Sequence, residues 1–488
     1  MDTLISVKPL IAVLVSLLVL PLIAASRSPN MREGWTFIAA GVKFAIVASM
    51  LPAVLNGMKI TCSIVQVLPG VSIAFRVDAF GLLFALVSSF LWIITSIYSI
   101  GYMRGLNEHG QTRYFCFFAI SLSAAIGVAF SANLLTMYLF YEMLSLATYP
   151  LVTHHQDEEA RTSGRKYLLY TVGSSIGLVL PAMLLTYHLS GNLDFSPQGV
   201  LAGTASRGTV TVLLLMFVFG FAKAAIMPFH SWLPAAMVAP TPVSALLHAV
   251  AVVKVGVFSI FRTITGIFGT DLLASLDLGL WVTTIASVTI LTGSLIALSQ
   301  DNLKRRLAFS TIAQLSYIVL GAGLLSSKGL TGGMIHIAMH AFGKITLFFC
   351  AGAIFVATGK KNISEMTGIG RRMPITMGAF FIGALSVIGL PPTGGFLSKW
   401  YLALGSLDAG QWPVLVVLLT SSLLNAFYFL PIVFKAFFNA ADPVSDPSPG
   451  MAEAPIWCVV PPVIAAAGSV ALFFYPNLLL NLARLAIG

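Results

Sequence analysis

The chain has 488 residues, of which 58% are apolar and only 9% are charged, and its formal net charge is +10. Since about a quarter of the residues of a soluble protein are charged, this composition excludes a water-soluble enzyme. The four cysteines are too few and too scattered for a secreted disulfide scaffold, and none has the CxxC spacing of iron–sulfur, zinc or haem sites. We therefore expect no cofactor on this chain. The basic residues recur between apolar runs, which favours a polytopic membrane protein in a lipid bilayer and argues against a nucleic-acid partner.

The apolar runs predict an all-α fold with about fourteen membrane spans, because a helix needs about 20 apolar residues to cross a bilayer. The first run is too long, and lacks the basic leader, for a cleaved signal peptide. Between the second and third spans, residues 59–78 alternate in polarity around Pro69-Gly70, which predicts a β-hairpin at the membrane surface. The predicted spans are 4–25, 35–54, 79–103, 113–130, 133–153, 165–189, 208–237, 242–264, 278–298, 306–326, 331–357, 374–405, 412–438 and 455–484.

The distribution of basic residues predicts the orientation of these spans. Loops after odd-numbered spans carry fifteen Lys and Arg residues, and loops after even-numbered spans carry five. By the positive-inside rule the odd loops are cytoplasmic, so both termini are predicted to lie outside.

Charged residues inside predicted spans are the most informative feature of the sequence. A charge at the bilayer centre costs about 2.5–3.5 kcal/mol on insertion scales, so several in one chain indicate function. Lys344 lies near the middle of its span and cannot reach the interface by snorkelling, whereas Lys43 lies in a short span that can be shifted, which favours snorkelling there. The residues concerned are one acid, Glu142, and five lysines, Lys43, Lys223, Lys254, Lys344 and Lys399.

His336, His340 and Lys344 follow one another at four-residue spacing, which places them on one stripe of a helix. Because imidazole titrates near neutral pH, this stripe indicates a hydrated proton path. Metal binding by the two histidines is a weaker alternative, since no carboxylate accompanies them in that span.

Glu142 and Lys223 are a candidate switch. A Glu beside a buried Lys holds the lysine charged, and withdrawal of the Glu leaves desolvation to drive proton release. A static ion pair that serves only packing is the alternative.

Two predicted spans are interrupted next to a lysine. Pro228 and Pro234 break the seventh span, and the segment Gly389–Gly395 breaks the twelfth, just before Lys399. Irregular backbone at membrane depth is tolerated where it lines protein or a water-filled cavity, and paired broken helices mark ion sites in transporters. The breaks therefore favour ion handling near Lys223 and Lys399.

Five long motifs resemble the antiporter-like subunit family. This family contains the large subunits of Mrp-type Na⁺/H⁺ antiporters, the proton-pumping subunits of respiratory complex I and the membrane subunits of energy-converting hydrogenases. The resemblance covers nearly the whole chain. The motifs are YEMLSLATYPLV, FAKAAIMPFHSWLPAAMVAPTPVSALLHAVAVVKVGVF, DNLKRRLAFSTIAQLSYIVLG, HIAMHAFGKITLFFCAG and GLPPTGGFLSKW.

The resemblance implies fourteen helices with two inverted five-helix repeats and broken helices 7 and 12. It divides the chain into N-terminal helices and hairpin (1–112), a first repeat (113–264), a second repeat (265–438), and a loop with the last helix (439–488). It also implies roles for the buried polar residues. These are a switch of Glu142 and Lys223, a central relay of Lys254 with His248, its continuation through His336, His340 and Lys344, and a terminal site at Lys399.

Within the family the chain looks most like the D component of an Mrp antiporter, since it has Lys399 at the terminal position and no long lateral helix; Lys43 receives no role. The resemblance implies a proton-translocating subunit, without covalent chemistry of its own, that works with other membrane subunits in a prokaryotic plasma membrane. The translocated ion is expected to be H⁺, with Na⁺ as an open alternative. A redox-driven complex is the alternative to an ion-gradient antiporter. A free-standing carrier of small solutes and an inert scaffold also remain open.

Overall fold

A computed structural model describes residues 3–439 and 451–488. The loop predicted after 438 lies mostly outside the described residues. The structure is dominated by helices, because in an apolar environment a helix satisfies its backbone hydrogen bonds within its own segment. The principal helices are α1 (Lys8–Ala25), α2 (Pro29–Leu55), α3 (Ala79–Gly105), α4 (Gln111–Ala129), α5 (Leu134–Val152), α6 (Glu158–Ser190), α7 (Arg207–Gly220), α8 (Thr241–Phe268), α9 (Gly279–Ser299), α10 (Leu303–Gly323), α11 (Ser327–Thr358), α12 (Pro374–Ile388), α13 (Gly394–Asp408), α14 (Trp412–Phe438), α15 (Ile456–Phe474) and α16 (Asn477–Ile487).

Several helices contain irregular turns, and short helices lie in the connections. The π-helical turns lie within α6 and α8, and one-turn helices cover parts of the segments before α8, before α9 and before α12. The π turns are Ser175–Val179, Leu246–Val250 and Ile264–Phe268, and the short helices are Ala222–Ala224, Trp232–Ala235, Ala236–Val238, Thr270–Ser275, Ile363–Met366 and Ile369–Arg372.

Ten of the helices in the described part of the chain are long and apolar enough to cross a membrane. They are α1, α2, α3, α4, α6, α8, α9, α11, α14 and α15. Three shorter apolar helices, α7, α12 and α16, accompany them. The prediction of a polytopic helical protein is thus confirmed at this level.

The β-hairpin predicted over 59–78 is confirmed. Strand β2 (Lys59–Leu68) pairs antiparallel with β3 (Val71–Val77), with Ile60 opposite Val77. Strand β1 (Thr3–Ile5) pairs parallel with β2. This strand was not predicted, because its residues overlap the apolar run 4–25 that was assigned to the first helix. Because these residues form a strand, the first helix begins only at Lys8.

An ion pair fixes the end of the hairpin to the helical bundle. Asp78 caps α3 by accepting from the Gly81 amide, and both of its oxygens also accept from Arg262 of α8, at 2.6 and 2.7 Å. Burial opposes ionisation of Asp78, but Arg262, together with Arg76 and the Gly81 amide, outweighs burial and lowers the pKa of this carboxyl to about 2.

The ends of two other predicted spans are corrected. The span predicted at 165–189 begins at Glu158, because the Asp157 carboxylate caps the helix by accepting from the Ala160 amide. The span predicted at 455–484 is wrong as one helix. It divides into α15 and α16 at Pro476, whose ring cannot continue the preceding helix.

The N-terminal helices correct two expectations about charge. Lys43 does not snorkel: its side chain is fully buried, Nζ donates to Ser16 Oγ at 2.6 Å and lies 5.3 Å from the centre of the Trp92 ring. Glu142 is not the only acid in a helix that can span the membrane, because α2 begins at Pro29 and buries Glu33 in an ion pair with Arg104.

The core lies around α8 and α11. Every residue from Thr241 to Ile264 is buried, and so is every residue of α11 from Gly329 to Ile354. The two helices pack on one another, and α10 packs against both. A helix that is apolar on all faces is buried on all faces, so the polar residues of α8 and α11 lie deep inside the protein.

Candidate functional site

Lys254 of α8 and His340 of α11 form the centre of the candidate site. Their side chains are 1% and 2% exposed, and Lys254 Nζ lies 2.7 Å from His340 Nδ1. At this distance one nitrogen donates a hydrogen bond to the other, so a proton added to either group can pass to its partner. The contact is therefore suited to proton exchange.

His336 continues this contact along α11. Its ring centre lies 5.7 Å from that of His340, and its Nδ1 lies 2.8 Å from Ser398 Oγ on α13. The stripe predicted from four-residue spacing is thus buried throughout, with His336 1% and Lys344 0% exposed. Both histidines use Nδ1 for a hydrogen bond, His340 with Lys254 and His336 with Ser398, and the Nε2 atom of each has no partner among the described residues.

Lys344 lies at the other end of the stripe and does not contact its histidines directly. Its Nζ donates to the Leu307 carbonyl of α10 at 3.2 Å and lies 5.4 Å from the centre of the Phe429 ring. The polar face of α11 therefore meets three different neighbours, α8 through His340, α13 through His336 and α10 through Lys344.

Lys399 lies in α13, shortly after the predicted break, and its side chain reaches back to the end of α12. Its Nζ donates to the carbonyls of Val387 and Ile388, both at 2.9 Å, and to Ser422 Oγ at 3.1 Å. Carbonyls in the last turn of a helix have no intrahelical partner and carry the negative end of the helix dipole, so they stabilise the ammonium. The break is what makes these carbonyls available.

Gly389 ends α12 and makes room for this lysine. Its φ of 89° lies in the left-handed region, and a Cβ atom there would come within 2.6 Å of Lys399 Cδ. The backbone angle favours glycine at this position, and a Cβ there would displace the Lys399 side chain.

Lys223 also lies at a helix break, but the break is not where the sequence placed it. Helix α7 ends at Gly220, before Pro228 and Pro234, and Lys223 lies in the single 3₁₀ turn that follows. The neighbouring helix α8 packs directly on this turn, since a Cβ on Gly256 would lie 2.1 Å from the Ala224 nitrogen. Tertiary packing, rather than proline, sets the position of this break.

The side chain of Lys223 contacts α5. Its Nζ donates to the Tyr141 carbonyl at 2.7 Å and to Ser145 Oγ at 2.6 Å, and it lies 3.2 Å from the centre of the Tyr141 ring. Burial of Lys223 is complete. Such a cation is held by α5 through one carbonyl, one hydroxyl and one aromatic face.

Glu142 reaches Lys223 through a serine rather than by direct contact. Ser145 Oγ, which accepts from Lys223, lies 3.3 Å from Glu142 Oε2 and can donate to it. The other oxygen, Glu142 Oε1, is buried and has no hydrogen-bond partner among the described residues. The expected pair is therefore a relay of three side chains, and Ser145, one helical turn after Glu142, is the member that the sequence analysis missed.

His248 makes no hydrogen bond with Lys254 in the described structure, although the two were expected to form the central relay. It is fully buried in the π turn Leu246–Val250, its ring packs on Phe348 at 4.6 Å, and neither of its nitrogens has a hydrogen-bond partner in the described structure. Lys254 contacts His340 instead.

Helix α10 adds two polar residues that sequence reasoning missed. The Gln314 side-chain amide and the Tyr317 hydroxyl are buried without partners among the described residues. The Tyr317 ring contacts His336 at 5.5 Å and lies 4.9 Å from Lys399 Nζ. The signal was a polar pair three residues apart, QLSY, within the apolar predicted span 306–326.

Two family models match the sequence. Residues 131–425 match the NADH:quinone oxidoreductase/Mrp antiporter transmembrane family, and residues 69–115 match the N-terminus of chain 5 of NADH-ubiquinone oxidoreductase, complex I. The first match contains all eight predicted site residues.

Curated relatives come from three kinds of complex. The chain is 35% identical over 373 residues to the N component of the NADH-quinone oxidoreductase of Desulforudis audaxviator, covering 75% of this chain and 72% of the relative. It is 32% identical over 439 residues to the A component of the Na⁺/H⁺ antiporter of Alkalihalophilus pseudofirmus, covering 84% of this chain and 53% of the relative. It is 34% identical over 342 residues to hydrogenase-4 component B of Escherichia coli, covering 67% of this chain and 50% of the relative. The chain thus spans about half the length of the last two.

Solved structures share the fold. A chain of the Mrp complex from Dietzia sp. superposes with a TM-score of 0.86 at 23% identity, covering 99% of this chain and 96% of that one. A chain of the membrane-bound sulfane sulfur reductase, an archaeal respiratory membrane complex, superposes with a TM-score of 0.87 at 23% identity, covering 98% and 96%.

Proposed function

The chain belongs to the NADH:quinone oxidoreductase/Mrp antiporter transmembrane family, and we propose that it is the proton-translocating subunit of a multisubunit Mrp-type cation/proton antiporter. The observation that carries this proposal is the 2.7 Å contact between Lys254 Nζ and His340 Nδ1 inside the buried core. Two groups that compete for one proton, with further titratable side chains on either side, form a path for protons rather than a site for a solute.

Proton transfer along this path follows from the chemistry of imidazole. An ammonium at Lys254 gives a proton to His340 Nδ1, and the imidazolium then releases the proton bound at Nε2. The Nε2 atoms of His336 and His340 are buried without protein partners in the described structure. Buried polar atoms of this kind are commonly satisfied by ordered water, so water molecules are proposed to connect the histidines with Lys344 and Lys399.

Glu142, Ser145 and Lys223 are proposed to gate this path. While Glu142 is ionised and linked through Ser145, it favours the charged form of Lys223. A charge on a neighbouring protein of the complex can draw Glu142 away from Ser145. Lys223 then loses the carboxylate that stabilised its charged form, and desolvation drives it to release its proton. The terminal Lys399, held by carbonyls at the α12 break, is proposed to pass protons onward.

Replacing Ser145 by Ala is expected to slow proton transport about tenfold or more, because a hydrogen bond to a charged group contributes about 1.5–3 kcal/mol. Transport would be measured as a pH change in vesicles containing the assembled complex. Ser121→Ala is the control, since Ser121 Oγ only donates to a carbonyl of its own helix, Phe117 O. Equal rates for the Ser145→Ala and Ser121→Ala variants would remove Ser145 from the switch.

The finer architecture is also a proposal. We propose fourteen spans with inverted five-helix repeats at 113–264 and 265–438, flanked by the regions 1–112 and 439–488, with both termini outside a prokaryotic plasma membrane. The breaks beside Lys223 and Lys399, one in each proposed repeat, support this symmetry, as does the likeness to a chain of an Mrp complex.

Other membrane subunits are the proposed partners, because the solved structures with this fold are multisubunit membrane complexes. H⁺ is the proposed ion. Na⁺ prefers several oxygen ligands, whereas Glu142 is the only carboxylate among the predicted site residues. A redox-driven complex is the second candidate, favoured by the identity to a component of an NADH-quinone oxidoreductase.

Isolation of the intact complex through a tag on this chain, followed by mass spectrometry, distinguishes the two candidates. Partners that are all small hydrophobic proteins are expected for an Mrp-type antiporter. Iron–sulfur, flavin or nickel proteins among the partners would contradict the antiporter and support the redox-driven complex. Isolation of the chain alone, active by itself, would contradict both and favour a free-standing carrier.

A further inference from the structure

Three histidines and one glutamate converge on one end of the helical bundle, outside the buried row. Glu108 and His109 lie in the loop between α3 and α4, and His154 and His155 lie in the loop after α5. We call these four residues the loop histidine cluster. The proposed proton path does not include these residues, and their spacing in the sequence does not predict that they converge.

The cluster is centred on one oxygen atom. Glu108 Oε2 lies 3.8 Å from His154 Nε2, 3.7 Å from His155 Nδ1 and 3.9 Å from His109 Nδ1. These distances are too long for hydrogen bonds. They are close to the separation of about 3.4 Å between two ligand atoms that bind one tetrahedral zinc ion at about 2.0–2.1 Å.

His154 supplies an independent observation. It is fully buried, and neither Nδ1 nor Nε2 has a hydrogen-bond partner in the described part of the chain. Its ring lies against those of His109 and His155, at 4.8 and 5.6 Å between centres. A buried imidazole without partners loses its hydration without compensation, and a coordinated cation would satisfy it.

Hydrogen bonds hold the backbone of both loops beside each other's donor residues. Gln111 Nε2 donates to the Glu108 carbonyl at 3.0 Å, and the Glu108 amide donates to the Met103 carbonyl at 2.9 Å. Arg113 Nη2 donates to the His154 carbonyl at 2.9 Å. A site whose ligands are already held in place binds its ion with less loss of conformational entropy.

We propose that the loop histidine cluster binds one transition-metal dication of the zinc class. The donor atoms of Glu108, His109 and His154 all lie within 4.8 Å of one another, and His155 Nδ1 approaches the same carboxylate oxygen at 3.7 Å. Imidazole nitrogens beside a carboxylate are a donor set for Zn²⁺ and its neighbours, whereas Mg²⁺ and Ca²⁺ require oxygen ligands. Glu108 and His155 also line a cavity of about 1270 Å³, which leaves space beside the cluster. The site is separate from the proton path, so the proposal holds for either candidate function.

The test is a titration of the full-length chain with zinc chloride, in detergent, after chelator treatment and with an affinity tag that contains no histidine. A chromophoric chelator competes with the protein for Zn²⁺, and its absorbance reports how much of the ion the protein has bound. The wild type is expected to bind one Zn²⁺ per chain with a micromolar or lower dissociation constant, and millimolar Mg²⁺ is expected not to displace it.

Two variants locate the ion. His154→Ala and His109→Ala are each expected to weaken binding about 100-fold or more, since even a partner outside the ligand set contributes about 10–100-fold. His109 is exposed, so its replacement leaves folding intact and its metal-free melting temperature unchanged. His188→Ala, at an exposed histidine of α6 far from the cluster in sequence, is the matched control and is expected to bind as the wild type does. Absence of binding by the wild type, or unchanged binding by His109→Ala, would overturn the proposal.

Discussion

Replacement of Lys254 by Met is expected to reduce proton transport by the assembled complex about 100-fold or more, the usual contribution of one positioned proton-transfer group. Methionine fills a similar volume but cannot share a proton with His340 Nδ1, which Lys254 Nζ contacts at 2.7 Å. The rate would be measured in vesicles as a pH change driven by an imposed ion gradient. The defect is expected in transport and not in assembly.

Lys43→Met is the matched control for this experiment. Lys43 is as deeply buried as Lys254 and also donates one side-chain hydrogen bond, to Ser16 Oγ, but it lies in α2, away from the row. The control is expected to keep most of the transport activity. If both variants transport at the wild-type rate, Lys254 carries no protons. If both lose activity equally, loss of any buried lysine damages the protein, and the row has no special role.

Removal of the Lys223 or the Glu142 side chain is expected to reduce proton transport about as much as Lys254→Met does. Lys223→Ala and Glu142→Ala are each expected to reduce transport by about 10²-fold. The double variant is expected to be no slower than the slower single variant, because residues that act as one unit are not additive. Transport and co-purification of partner proteins would be measured for all three variants, so that failed assembly is recognised.

Two outcomes would contradict the proposed switch. Normal ion transport in both single variants would show that the pair serves only packing. Strictly multiplicative losses in the double variant would show that Glu142 and Lys223 act independently, although Ser145 Oγ lies within hydrogen-bond reach of both. Together with Ser145→Ala, these variants distinguish a relay from a static contact.

The sequence determined the helical character of the protein, most of its helix ends and the identity of the buried lysines. This was possible because lipid leaves the backbone few alternatives, so apolar length alone locates helices. The cost of burying charge likewise made Lys223, Lys254, Lys344 and Lys399 conspicuous in apolar runs. The hairpin at 59–78 could be predicted from its alternation and its Pro-Gly turn.

The tertiary structure alone decided which of these side chains meet. Lys254 and His340 are 86 residues apart in sequence, and their contact depends on how α8 and α11 are rotated against each other. The end of α7 before Lys223 depends on close packing with Gly256 rather than on the later prolines. The loop histidine cluster joins two loops that no local pattern connects. The periodicity of a sequence defines the faces of each helix. How two helices rotate and approach each other depends on the packing of both of their surfaces, and no local sequence pattern specifies that packing.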